Sequence, residues 1–480
     1  MIELVDVPES LGSSSEVSEK AKEVAYEDSF PDGGRGWLVV LGCFIYSAST
    51  VGWGCVAPVW GVTEEFFKEH MFPHTSDSVL TTLGSMSCLF MTLGGIVAGK
   101  LADRYGYKPF LAAGAIVWVA SMLAAAFCTE VWQFFLTMGL MQGISDALVF
   151  PLIVSLPSQW FLRWRAFATG IVVAGSSIGG AISSLVYREL LSTIGLRKSL
   201  AIFTAVDAVA FACGYAMMQE RRPSEKRPQI VWFDRAFFGD PVFWSLAMCF
   251  FFTVFGYLGP VFLLPTFTAE KAPGMSSIML ALPLTVLNLS AAAGRILIGF
   301  AADKLGPVNA LLVAIALSGL TQLVVWTFVT TYAGIIVFSV LYGFFCGCFL
   351  SLVSAVAAKI YGADRLAGLS GLLLLFNAPG TSALAAPRHV RVYTPFPPPH
   401  HAHIHAPFLL VVPRRSKRKL RLISSTTGYA AGAPIGGAIL GATGNNWQVV
   451  AGYSGAVQVL GALCLLYARF RRQPRLLAAY

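Results

Sequence analysis

The chain carries one long motif twice, about 200 residues apart, and that duplication restricts its fold more than anything else in it. Gly95-Ile-Val-Ala-Gly99-Lys-Leu-Ala-Asp103-Arg104-Tyr-Gly106-Tyr-Lys108-Pro109 closes an early apolar run. Gly294-Arg295-Ile-Leu-Ile-Gly299-Phe-Ala-Ala-Asp303-Lys304-Leu-Gly306-Pro307 closes a later one. Each copy is a glycine-spaced helix end, an acid-base pair at the exit from hydrocarbon, and a glycine turn into the next apolar run. An exit loop repeated at half the chain length implies two homologous membrane halves.

The hydropathy agrees. A mean hydropathy of +0.68, with 56% apolar and 12% charged residues, lies outside the range of soluble globular chains. Apolar runs of about 20 residues, long enough to cross a bilayer, begin near Trp37, Ser78, Pro109, Val131, Ala166 and Ser199. A second set begins near Val242, Ser276, Pro307, Tyr332, Ala367 and Trp447. The predicted fold is an all-α membrane protein of twelve transmembrane helices in two pseudo-symmetric six-helix halves, 31–218 and 242–468.

Lys and Arg concentrate in alternate loops: Asp103-Arg104-Lys108, Arg163-Arg165, Arg221-Arg222-Lys226-Arg227, Asp303-Lys304, Lys359-Arg365 and Arg469-Arg471-Arg472. The positive-inside rule puts these loops and both termini in the cytosol. Residues 1–30 are acidic, lack a cleaved-signal pattern and read as a disordered cytosolic tail. Residues 219–241 form a cytosolic central loop and 469–480 a cytosolic C-terminal tail. All nine Cys lie in apolar runs, and Cys346-Gly-Cys348 lacks metal or redox spacing, so no disulfide or zinc framework is expected.

The eleventh span is interrupted. Ala367 to Gly380 is half a helix, and Tyr429-Ala-Ala-Gly432-Ala-Pro-Ile-Gly436-Gly437 begins another half. Residues 381–427 between them hold a Pro run at 397–399, His400, His401, His403 and His405, and eight Lys or Arg without an acid. That segment supplies +8 of the net +9, so the basic balance is local and no nucleic-acid partner is implied. Functional readings are a His-rich metal site, a polybasic lipid patch and a polyproline ligand. Against them, unpaired backbone and clustered cations are not tolerated at lipid depth. Joining Gly380 to Tyr429 restores one ordinary helix, and the codons at both ends can encode splice signals. A retained intron is the leading reading; a disordered loop is the alternative.

The doubled exit motif resembles the loop signature of the major facilitator superfamily. Pro31-Asp32-Gly33-Gly34-Arg35-Gly36-Trp37 and Gln159-Trp160-Phe161-Leu-Arg163-Trp-Arg165-Ala166-Phe-Ala168-Thr-Gly170 resemble two hallmarks of the monocarboxylate transporter family, its fungal branch above all. The resemblance covers about residues 31–475 apart from the segment above. It implies a secondary active or facilitative transporter of a small organic, monocarboxylate-like anion, working by alternating access. It also implies that Gly99, Asp103, Arg104, Gly106, Lys108 and Asp303 form a gate, and it marks Asp32, Gly33, Trp37, Arg163, Arg165 and Gly170 as signature positions. Asp103 is expected to accept amide hydrogens from the other half and to pair with Arg104 or Lys108. The second copy has lost part of the loop pattern. Gly170, Gly175 and Gly179, with Ala174 and Ser176, read as close helix packing.

Ionisable residues inside spans are functional by default. Arg295, in the eighth span, matches the family's substrate-binding arginine, and its guanidinium suits a carboxylate. Asn288, seven residues earlier, shares its helical face. Alternatives for Arg295 are snorkelling to the cytosolic headgroups or an interdomain salt bridge. Val59 and Ala291 stand where the animal transporters have a lysine and an acid, so a lactate-type relay is missing. Asp146 is the candidate for proton coupling, or else a structural partner of Arg163 or Arg165; Asp207 is a weaker candidate. Tyr257-Leu-Gly259-Pro260 and Leu264-Pro265 are expected to break the seventh span at the cavity. Tyr257, Phe345 and Asn377 complete the predicted binding wall. No Gly-Lys-Ser/Thr phosphate loop and no catalytic or metal constellation occurs, so neither an ATP-driven pump, an enzyme nor a bound cofactor is expected. A non-transporting nutrient sensor of the same fold, and an inactive product of mis-splicing, are the alternatives. Partners are the lipid bilayer, an organic anion and a proton; the expected location is the plasma membrane.

Overall fold

The computed structural model describes residues 31–54, 57–75, 77–221, 238–275, 277–362, 366–377, 439–440, 443 and 446–473. The segment 381–427, both glycines Gly432 and Gly436, residues 1–30 and residues 474–480 lie outside them, while 469–472 of the expected C-terminal tail continue the last helix. Twelve principal helices follow in order: α1 (Arg35–Trp53), α2 (Asp77–Tyr105), α3 (Tyr107–Ala125), α4 (Val131–Gln159), α5 (Arg165–Ile194), α6 (Leu196–Met217), α7 (Pro241–Lys271), α8 (Ser277–Leu305), α9 (Pro307–Phe328), α10 (Tyr332–Tyr361), α11 (Leu366–Leu375) and α12 (Trp447–Arg472). Each begins within three residues of the position read from hydropathy. Eleven are long and apolar enough to cross a membrane, and no strand occurs among the described residues. The twelfth, α11, has only 10 residues and stops at the turn Phe376–Asn377, just before the interrupting segment.

Each half encloses its own apolar core. Tyr46, Trp118, Phe134, Phe150 and Phe161 fill the first; Phe243, Phe250, Leu311, Leu352 and Leu465 fill the second. Two helices cross the divide. Ala166 of α5 packs into the second core, and Ala367 and Leu374 of α11 pack into the first. This exchange follows the internal repeat, since α5 and α11 are the fifth helices of their halves. The repeat also fixes the turns after α2 and α8. Gly106 has φ 102 and Gly306 φ 90, left-handed backbone that only glycine adopts without steric cost.

One expectation fails. α7 runs unbroken from Pro241 to Lys271 with Pro260 and Pro265 inside it. Each proline removes a single amide donor, and helices packed on every side of α7 absorb the local adjustment. Gly256, one turn before Pro260, lies so close to α12 that a Cβ there would stand 2.5 Å from Ser454 O. Lateral packing of this kind keeps the helix continuous where its sequence alone argues for a break.

Candidate functional site

The two halves meet along two helix seams on the face that carries the repeated motif. In the α2–α11 seam Asp103 Oδ2 accepts from Gly368 N at 2.8 Å, and its Oδ1 from the Tyr107 hydroxyl at 2.8 Å. In the α5–α8 seam Asp303 accepts from Ala166 N and Phe167 N, both at 2.8 Å. A carboxylate there meets the unsatisfied amides and positive dipole end of a helix N-terminus. The second copy therefore keeps the carboxylate–amide contact although Val308 stands where the first copy has Lys108. Lys108 does not pair with Asp103; its Nζ lies 4.9 Å from the centre of the Tyr215 ring. Arg104 is exposed in the last turn of α2.

Glycines let these seams close. A Cβ on Gly99 would stand 2.4 Å from Ala367 O, and one on Gly299 2.6 Å from Ala166 O. On the facing helices, Gly371 and Gly170 bear the same relation to Gly95 O and Arg295 O, at 2.5 and 2.3 Å. Gly99, Asp103 and the turn glycine Gly106 are thus one element. Gly170, singled out as a signature residue, belongs to its counterpart with Gly299, Asp303 and Gly306.

The two signature stretches fold against each other. Asp32, in left-handed backbone (φ 44), accepts from Leu162 N at 2.7 Å and Arg163 N at 3.0 Å. Gly36 leaves no room for a side chain beside the Phe161 ring, and the Trp37 and Phe161 rings lie 4.7 Å apart. The Gly33 carbonyl accepts from Gly36 N at 3.1 Å in the turn leading into α1. Arg165 donates to Phe161 O, while Arg163 and Lys359 line a cavity of about 350 Å³ on this face, next to Asp303. The first signature thereby fixes the loop that feeds α5 into its seam.

Arg295 stands at the inner end of the α5–α8 seam, with 4% of its surface exposed. Its Nη1 donates to Val173 O (2.9 Å), Ser176 Oγ (2.9 Å) and Ser177 Oγ (2.7 Å), all on α5. Its Nε donates to Gly347 O at 3.2 Å, where α10 changes from one helical stretch to the next. Every recorded partner is neutral. The cation bridges the halves, but through neutral acceptors rather than through the interdomain salt bridge named as an alternative. Sequence reading missed Ser177 and Gly347 and took Ser176 for packing. The available signal was Ala291, which removes the one acid expected within reach.

Around it the predicted wall is only partly assembled. Tyr257, on α7, lies close enough to Arg295 and Cys346 for electrostatic coupling, and its carbonyl accepts from the Tyr342 hydroxyl. Asn288 is buried on α8, the helix of Arg295, and donates to Leu284 O. Phe345 packs edge-on against Phe344, and Asn377 is buried in the turn ending α11. Asp146 is completely buried in α4 beside Ser145, whose hydroxyl donates to Gly114 O. Asp207 is held by the indole N–H of Trp118 at 3.1 Å.

Known proteins match this architecture. The profile of the Major Facilitator Superfamily covers residues 42–385. The aspyridones efflux protein apdF of Emericella nidulans is 33% identical over 70% of this chain and 67% of its own length. The fujikurins efflux protein of Gibberella fujikuroi is 26% identical over 97% and 89%. Among solved structures, the human organic anion transporter MFSD10 (TETRAN) superposes with a TM-score of 0.65 at 14% identity, over 90% of this chain and all of that one. The two seams, the repeated motif and these relatives lead to one conclusion: the chain belongs to the Major Facilitator Superfamily and is a multi-pass membrane transporter rather than an enzyme.

Proposed function

We propose that this transporter exports a small organic anion bearing a carboxylate or an equivalent acidic group, by alternating access between its halves. The observation that carries this reading is Arg295, a buried cation at the inner end of a closed interhalf seam that meets only neutral acceptors. A cation in a membrane bundle is costly without an opposing charge, so an acidic solute is the natural partner. The efflux names of relatives support the outward direction. The paired signatures around Asp32 and Phe161 support a monocarboxylate-type mechanism, and the basic loops support cytosolic termini in the plasma membrane. With both seams shut on the motif face, the site is closed toward the cytosol and the cycle stands on its outward side. Asp146 is the proposed proton carrier of a coupled step.

The test is transport of a carboxylate panel into inside-out vesicles bearing the full chain, and the chain rejoined at Gly380 and Tyr429. Arg295→Ala should lower carboxylate transport more than about a hundredfold, as loss of a charged partner in a buried pair does, with unchanged surface expression. Normal transport by that variant discards the site.

A further inference from the structure

Ser176 and Ser177 point two hydroxyls at one nitrogen. With Val173 O they give Arg295 Nη1 three acceptors for its two hydrogens. The Ser176 hydroxyl itself donates to Val173 O at 2.8 Å, which turns its lone pairs toward the guanidinium. Nη2 makes no hydrogen bond among the described residues. The edge formed by Nε and Nη2 lies against Gly347, where a single Cβ would come within 2.8 Å of both nitrogens. The remaining approach is the end-on edge, Nη1 with Nη2. A carboxylate arriving there finds Nη2 open and Nη1 occupied by α5.

The other seam has no such device. At the place corresponding to Arg295 stands Gly95, whose missing side chain would face Pro151 of α4. At this position the α2–α11 seam has only a glycine. The α5–α8 seam is joined by a cation shared between the halves.

The geometry points to a solute-coupled lock: Ser176 and Ser177 are positioning residues that hold Arg295 across the closed α5–α8 seam, and an organic carboxylate holds the seam open by taking Nη1 from them. A bidentate ionic pair supplies the opposing charge that the three neutral acceptors of Nη1 lack. Engaging it removes three of the bonds that join the halves, so solute binding and gate opening become one event. A ligand shifts a two-state equilibrium only through such a difference in contacts. The release step rests on the proposed role of Arg295 as the solute-binding group; the lock does not.

The experiment reads seam opening directly. Ala302 is completely buried next to Asp303, so Ala302→Cys in the full chain reports opening by its alkylation with an impermeant maleimide in inside-out vesicles. The rate of the parent without Ala302→Cys is subtracted. Without added solute, Ser176→Ala/Ser177→Ala should raise the rate at least about fivefold, as expected for losing hydrogen bonds to a charged group. Ser176→Thr/Ser177→Thr, which keeps both hydroxyls, should restore it. Saturating 2-naphthoate should raise the rate of the Ala302→Cys protein and leave the alanine double variant unchanged. An unaltered rate in the alanine variant overturns the lock, whatever 2-naphthoate does. A raised rate there, with no 2-naphthoate response in the Ala302→Cys protein, keeps the lock and overturns the carboxylate as its key. Failure of threonine to restore the rate assigns the effect to packing and overturns the hydroxyl role.

Discussion

Arg295 shows what one side chain does to a helix seam. Its placement was legible, because an arginine after a glycine inside an apolar run stands out in any reading of the chain. Its partners were not, because serine hydroxyls and backbone carbonyls carry no sequence signal of their own until the fold brings α5 and α10 beside α8. Gly347 provides a test at this scale. Gly347→Ala puts a methyl group 2.8 Å from the guanidinium, which should displace Arg295 and cut carboxylate transport about tenfold or more, since misplacing a binding group by about 1 Å has large kinetic effects. Normal kinetics in vesicles would show that the guanidinium has room to move. Asp240 gives a second test, at the start of α7. Burial alone raises a carboxyl, but here the Val242 amide, the Tyr361 hydroxyl and Arg472 outweigh it and hold Asp240 below its ordinary value. A depressed carboxyl stabilises the fold above its unfolded pKa and loses that contribution as pH falls through its folded one. Asp240→Asn should therefore lower the thermal midpoint at pH 7, and the gap to the parent should close only below about pH 4. A gap that persists in more acidic detergent solution would assign the effect to packing.

At the scale of helices, the closed face rests on two carboxylates capping two helix starts in the opposite half. Asp103 was expected to do this, and Asp303 does it as well with two amides. Asp303→Asn keeps the size of the side chain but weakens both charge-assisted bonds, each worth about 1.5–3 kcal/mol. Labelling of buried motif-face positions should rise by about an order of magnitude; unchanged labelling would make the contact a mere anchor. Helix starts were read to within three residues because hydrocarbon length and basic flanks fix them. The course of α7 was misread because prolines signal a break locally, whereas packing against α12 decides the outcome. The interrupted eleventh span is also an element-scale matter: α11 stops at ten residues, and the family match ends at residue 385, just inside the intervening segment. Sequencing the spliced transcript should show 381–427 absent; a message that retains those codons in every sample would sink the intron reading.

For the whole molecule, α5 and α11 each contribute residues to both cores, which interlocks the halves. If Asp146 carries the coupled proton, Asp146→Asn should abolish the pH dependence of net transport and leave solute exchange within about twofold of the parent, because exchange requires no net proton transfer. Transport by the parent that is indifferent to pH on either side would remove Asp146 from the cycle. The sequence by itself determined the membrane class, the two halves and the family, because hydrophobic length and internal repetition are one-dimensional properties. Only the tertiary structure decided that the repeated motif closes two unequal seams, one smooth at Gly95 and one held by Arg295. That difference depends on which neutral groups the fold brings within about 3 Å of a buried cation, and sequence separation carries no record of it.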